Sequence, residues 1–129
     1  MNLNLNHIGQ IALPVADIDR AEAFFATTLG FRKLFRFGDL CFFDCAGVRL
    51  LVEKAKPEDV AKASVLYFRC TDIALAVKEL TARGVTFTHP PHRIAPMEDH
   101  DLWMAFFQDP DGHPLALMHE APKGYALPA

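Results

Sequence analysis

Residues 10–31 decide the fold: Gln10-Ile11-Ala12-Leu13-Pro14-Val15-Ala16-Asp17, then Ala21-Glu22-Ala23-Phe24-Phe25, then Leu29-Gly30-Phe31. Together with the residues just before it, the opening part reads as a strand over 5–13. Pro14 ends that strand or places its end at a sheet edge, because proline has no N–H to give to a ladder. Asp17 fits a helix N-cap, where a carboxylate accepts from the free N–H groups of the first turn. Ile18, Ala21, Phe25 and Thr28/Leu29 fall on one stripe, which predicts an amphipathic helix over 18–29, with Gly30 as its left-handed stop. Three strand-like runs follow, at 31–37, 40–45 and 48–53, separated by Gly38-Asp39 and Ala46-Gly47. The polar stretch from Lys54 to Asp59 reads as a connection.

The same order then recurs. Residues 64–70 read as a strand, Asp72 caps a helix bearing Ile73, Ala76, Val77 and Leu80, and Gly84 ends it. Further strands are expected at 85–88, 102–108 and 114–119, with Asp109-Pro110-Asp111-Gly112 as a type I turn. Asp17 and Asp72 stand 55 residues apart, as do Ala21 and Ala76, and Gly30 and Gly84 stand 54 apart. The segments Phe42–Gly47 and Phe106–Gly112 also match, with the extra length falling in 89–101, which reads as a rigid loop around His89-Pro90-Pro91-His92. This spacing indicates an α+β chain built as an internal βαβββ repeat; two unrelated α+β halves are the alternative. The expected organisation is a single domain over 1–129, with a first module at about 5–54, a second at about 64–120, and a loose tail at 121–129.

Composition narrows the function classes. At 129 residues, 51% of them hydrophobic, the chain can bury a real core. A net charge of −3 offers no basic excess for a phosphate backbone, so nucleic acid is not an expected partner. The longest apolar run, Ile11–Ala16, is far short of the ~20 residues of a membrane span, so no membrane is expected either. The N-terminal stretch Met1–Asn6 has neither a basic nor an apolar leader region, and three cysteines are too few for a disulfide scaffold. The expectation is a soluble cytoplasmic protein.

The Gln10–Asp17 stretch, its continuation to Phe31, and the closing Asp109-Pro110-Asp111-Gly112-His113-Pro114-Leu115 resemble the signatures of the vicinal oxygen chelate superfamily. This superfamily includes glyoxalase I, the extradiol dioxygenases, methylmalonyl-CoA epimerase and the bleomycin-resistance proteins. The resemblance implies tandem βαβββ modules whose mixed sheets curve into a cup, with helices outside. It also implies one divalent metal in the cup (nickel, zinc, manganese or iron), held by the first and fourth strands of each module, a small-molecule substrate, and a homodimer.

Carried over position by position, the resemblance puts the first ligand seven residues before the capping aspartate. That residue is Gln10 in the first module and Val65 in the second. The fourth-strand ligand falls four residues after the turn glycine, at Leu51 and Ala116. Gln10 is the one position that matches the motif for metal, and the expected site is degenerate. Since strand faces alternate, Glu53, Tyr67, Met118 and Glu120 are expected to share the cup face, and Glu53 and Glu120 are the candidate acid/base groups. A ligand set of Gln10, Glu53 and Glu120 is the alternative. Gln10, Leu51, Val65, Tyr67, Ala116 and Met118 are the candidate substrate contacts, joined by His100 and Trp103 at the rim. For Trp103 the alternative is a core position, and for His100 a solvated loop.

Other candidates carry less chemistry. Cys41 and Cys45 share a face as small core residues, and Cys70 has no base partner. His113 and His119 fall on the face expected to meet the helices. Glu98, Asp99 and Asp101 read as a solvated acidic turn. Two functions follow from the resemblance. One is a lyase or isomerase moving a proton next to a carbonyl. The other is a metal-free protein that sequesters an apolar or aromatic molecule.

Overall fold

The computed structural model describes residues 3–129; Met1 and Asn2, at the start of the stretch read for a leader, lie outside the described residues. The chain divides into two units, one ending at Ser64 and one beginning at Val65. In the first unit, β1 (Gln10–Val15) leads into α1 (Ile18–Ala23), then β2 (Arg32–Phe37), β3 (Leu40–Cys45), β4 (Val48–Lys54) and a short α2 (Pro57–Val60). The strands form one mixed sheet in the order β1-β4-β3-β2, with β1 parallel to β4 and the other pairs antiparallel. In the second unit, β5 (Leu66–Arg69) and α3 (Ile73–Ala82) are followed by β6 (Phe87–Pro96), β7 (Asp101–Gln108) and β8 (Pro114–Ala121). Its order, β5-β8-β7-β6, with β5 parallel to β8, has the same form. Each unit is thus a βαβββ module of the α+β class.

The aspartate caps form as expected. Asp17 accepts from the Arg20 N–H at 3.0 Å, and Asp72 from the Leu75 N–H at 3.1 Å. Helix α1 packs on β3 and β4, where Leu13, Val15, Phe25, Phe43 and Val52 are almost wholly buried. In the second unit α3 packs on β6, β7 and β8, over Ile73, Phe107 and Leu115. The β3–β4 hairpin turns at Ala46 and Gly47, with φ of 49° and 92°. Both residues are left-handed, as a two-residue hairpin with a type I′ turn requires, and Asp44 Oδ1 accepts from the Gly47 N–H at 3.1 Å.

Five expectations need correction. Strand β1 starts at Gln10 and runs through Pro14 to Val15. It is an edge strand, so the missing N–H of Pro14 costs the sheet no bond. The helix expected over 18–29 widens after Ala23 into a π turn, Phe24–Thr28, with the Leu29 N–H reaching the Phe24 carbonyl at 2.9 Å. That widening seats Phe25 between Phe31 and Phe43, with ring centroids 5.8 and 5.9 Å away. The segment read as a proline-rich loop is mostly strand: β6 continues to Pro96. Pro90 and Pro91 fit because they fall in a break of register between His89 and His92, on an edge.

Finally, the segment read as a loose tail is tied down. Ala121 belongs to β8, and Asp101 Oδ1 and Oδ2 accept from Lys123 Nζ (2.9 Å) and the Gly124 N–H (3.0 Å). The Tyr125 ring stands edge-on to Trp103 and His119, at 5.4 and 5.1 Å. Asp101, read as part of a solvated turn, is only 3% exposed as a result.

Candidate functional site

Each sheet has one face against its helix and one open face. On the first sheet the register sets out the open face in rows. Gln10 lies opposite Arg49, which lies opposite Asp44. The next row holds Ala12, Leu51, Phe42 and Phe35, and the one after it Pro14, Glu53, Leu40 and Phe37. Gln10, Leu51 and Glu53 therefore share a face. Leu51 is one row from Gln10, but Glu53 pairs with Pro14, four residues along β1 from Gln10. At a rise of ~3.3 Å per residue this is about 13 Å along the strands. The Phe35 and Phe42 rings stack at 4.4 Å and 21°, and the Arg49 guanidinium stands 5.7 Å from the Phe42 centroid.

On the second sheet Tyr67 lies opposite Ala116, and Arg69 opposite Met118. Phe106 and Met104 continue these rows on β7. The Tyr67 and Phe106 rings meet edge-on at 6.0 Å. Val65 sits one residue ahead of β5, 38% exposed, on the Tyr67 side by alternation. Glu120 is held by Arg69 Nη2 at 2.8 Å, and His100 Nε2 stands 3.9 Å from its other oxygen. His100 Nδ1 lies 2.7 Å from Asp99, whose carboxyl is held below the usual range first by that hydrogen bond. Trp103 does not join this face. It shares alternation with Asp101, Ala105 and Phe107, lies opposite His119, and has a buried Nε1 with no partner.

Sequence reasoning left out Arg49, Phe42, Phe35 and Arg69, all on the open faces. Arg49 lies two residues from Leu51, so strand alternation alone assigns it the same face.

A second cluster lies at the β7–β8 turn, where donor atoms of Asp109, Asp111 and His113 come within 4.8 Å of one another and could hold a metal ion. Its central carboxylate is already engaged. Asp109 Oδ1 accepts from the N–H groups of Asp111 (3.0 Å) and His113 (2.8 Å), and Oδ2 lies 2.6 Å from His113 Nδ1. These bonds hold the turn in shape. Among the thiols, Cys41 is buried against α1, and that burial, followed by the charge of Glu22, pushes its pKa up to about 11.

With this fold and these motifs in place, the family follows: the chain belongs to the Glyoxalase/Bleomycin resistance protein/Dioxygenase superfamily, whose model matches residues 5–117. Among solved structures, it is similar to a lactoylglutathione lyase from Agrobacterium tumefaciens, with 21% identity, a TM-score of 0.73, and coverage of 95% of this chain and 99% of that one. It is likewise similar to a glyoxalase/bleomycin resistance protein/dioxygenase from Alicyclobacillus acidocaldarius, at 22% identity and a TM-score of 0.70, covering 92% and 95%. One from Nocardioides aligns at 21% identity and a TM-score of 0.71, covering 99% and 92%. At these identities the likeness is one of fold. No curated protein matches the chain. No helix among the described residues is long and apolar enough to cross a membrane.

Proposed function

We propose that this chain holds a small apolar or aromatic molecule against the open faces of its sheets, without the chelated metal of its superfamily. The observation that carries this reading is the row-by-row chemistry of the open faces. The positions matching the superfamily's ligands hold Gln10, Leu51, Val65 and Ala116, and only the first offers a donor atom. A divalent ion takes about four to eight nitrogen, oxygen or sulfur donors. Glu53 does not supply the deficit, since about 13 Å of strand separates its row from that of Gln10. Nor does Glu120, which lies four residues, about 13 Å, along β8 from Ala116.

The test is metal content of the purified chain, with thermal shift on adding nickel, zinc, manganese or ferrous iron. We expect no stoichiometric metal and no shift that depends on Gln10. Stoichiometric metal that is lost in Gln10→Ala would overturn the reading.

A second reading is a lyase or isomerase acting next to a carbonyl, and Glu53 is the residue that favours it. Its carboxylate is on the open face between apolar neighbours, Pro14 and Leu40, and makes no ion pair among the described residues. It could therefore accept and return a proton. Turnover that is unchanged in Glu53→Gln would remove it. On either reading the chain works as a cytoplasmic homodimer. Leu34 and Phe37 on β2 are 39% and 75% exposed, in keeping with a covered surface, and the three thiols are free, in keeping with a reducing compartment.

A further inference from the structure

We propose that Arg49, Phe42 and Phe35 form a subsite for a planar aromatic carboxylate on the open face of the first sheet. This deepens the binding function given above and rests on it for the choice of face. It does not depend on whether a metal binds.

The two phenylalanines are register partners on β2 and β3; their rings stack on one another and so present a pair of apolar edges to the open face, with Phe35 49% exposed. Arg49 borders this pair with its guanidinium 5.7 Å from the Phe42 centroid, a placement that favours the cation and orients its fork of N–H donors. Arg49 differs from Arg69 in its surroundings. Arg69, its counterpart on the second open face, has Glu120 at 2.8 Å. Asp44, the carboxylate opposite Arg49, is turned into the hairpin, where its Oδ1 accepts from the Gly47 N–H. No ion pair of Arg49 forms among the described residues.

A carboxylate placed there takes two parallel N–H···O bonds from the guanidinium, and the Gln10 amide, opposite Arg49, is positioned to donate a third. An aromatic ring attached to that carboxylate lies across the edges of Phe42 and Phe35, in the edge-to-face contact that aromatic pairs favour. An aliphatic acid gains only the charge contact, and a neutral aromatic gains only the ring contact, so the face selects for the combination.

The experiment titrates naphthoate, followed by its own fluorescence, into the full chain dialysed against EDTA at low ionic strength. Saturable binding is expected, weakened about tenfold or more in Arg49→Met, as loss of a charge-assisted bidentate contact requires. Phe35→Leu should weaken binding severalfold, and Arg49→Lys should fall between wild type and Arg49→Met. Naphthamide and cyclohexanecarboxylate should each bind more weakly than naphthoate. Circular dichroism checks that the variants are folded.

Naphthoate binding that is unchanged in both Arg49 variants, naphthamide binding as tightly as naphthoate, or no saturable binding either after EDTA or with zinc or nickel restored would each overturn the proposal. Binding that appears only after zinc or nickel is restored, yet still falls in Arg49→Met, supports the subsite. That same result would count against the metal-free reading, so the two fail separately.

Discussion

Arg69 and Glu120 meet at 2.8 Å on the open face of the second sheet, across the pairing of β5 with β8. Their side chains are 70% and 37% exposed, so water screens the attraction and the pair adds little stability. A double-mutant cycle with Arg69→Ala and Glu120→Ala should give a coupling of about 0.2–1 kcal/mol that shrinks further in molar salt. A coupling of several kcal/mol, insensitive to salt, would contradict this account of the face.

Asp101 anchors the C-terminal segment through Lys123 and Gly124, and these bonds, that of Lys123 foremost, hold its carboxyl below the usual range. A carboxyl with a depressed folded-state pKa stabilises fully above its unfolded value of about 3.9 and loses that contribution as pH falls through the folded value. The melting temperature of wild type should exceed that of Asp101→Asn by a constant amount near neutral pH. The gap should close only below about pH 4. Trypsin should also cut Asp101→Asn faster after Lys123. A gap that does not shrink at all as pH falls below about 4, or equal cleavage, would show that the latch is not electrostatic.

Asp109 carries three hydrogen bonds while only 5% exposed, two of them from backbone N–H groups. Replacing it with alanine strands those donors, at a cost of about 2–4 kcal/mol in urea unfolding. The loss should be the same with and without EDTA, because the turn is held by hydrogen bonds. If the chelator erased the difference between wild type and Asp109→Ala, the Asp109-Asp111-His113 cluster would be a structural metal site.

Cys41, with its pKa pushed up to about 11 by burial, stays a thiol at pH 8. In the native chain a thiol reagent at pH 8 should leave Cys41 unmodified, as peptide mapping would show. In denaturant all three thiols should react. Rapid native modification of Cys41 would mean that α1 opens from the sheet far more readily than its packing implies.

The modules were legible because their punctuation is local: a capping aspartate, an apolar stripe and a glycine stop each act within one helix. What lay beyond reach was set by neighbours far along the chain. The prolines of 89–91 suggest a loop to any local rule, and only the edge position of β6 makes them compatible with a strand. On the candidate site, alternation along β4 was readable and puts Arg49, Leu51 and Glu53 on one face. The pairing of Gln10 with Arg49 rather than with Glu53 depends on how β1 slides against β4, which no short pattern encodes. Trp103 is different, since its alternation with Ala105 and Phe107 already marks a face turned from the open side.

The four outer strands also bear on how copies of this chain behave when crowded. β1 carries Pro14, β6 carries Pro90 and Pro91, and β5 is only 4 residues long, so each is a poor template for an incoming strand. β2 has no proline; it is guarded instead by a register shift between Lys33 and Phe35 and by the cations Arg32, Lys33 and Arg36. Neutralising those cations would leave Leu34, Phe35 and Phe37 on an unguarded edge, which makes β2 the place where aggregation or strand exchange would begin.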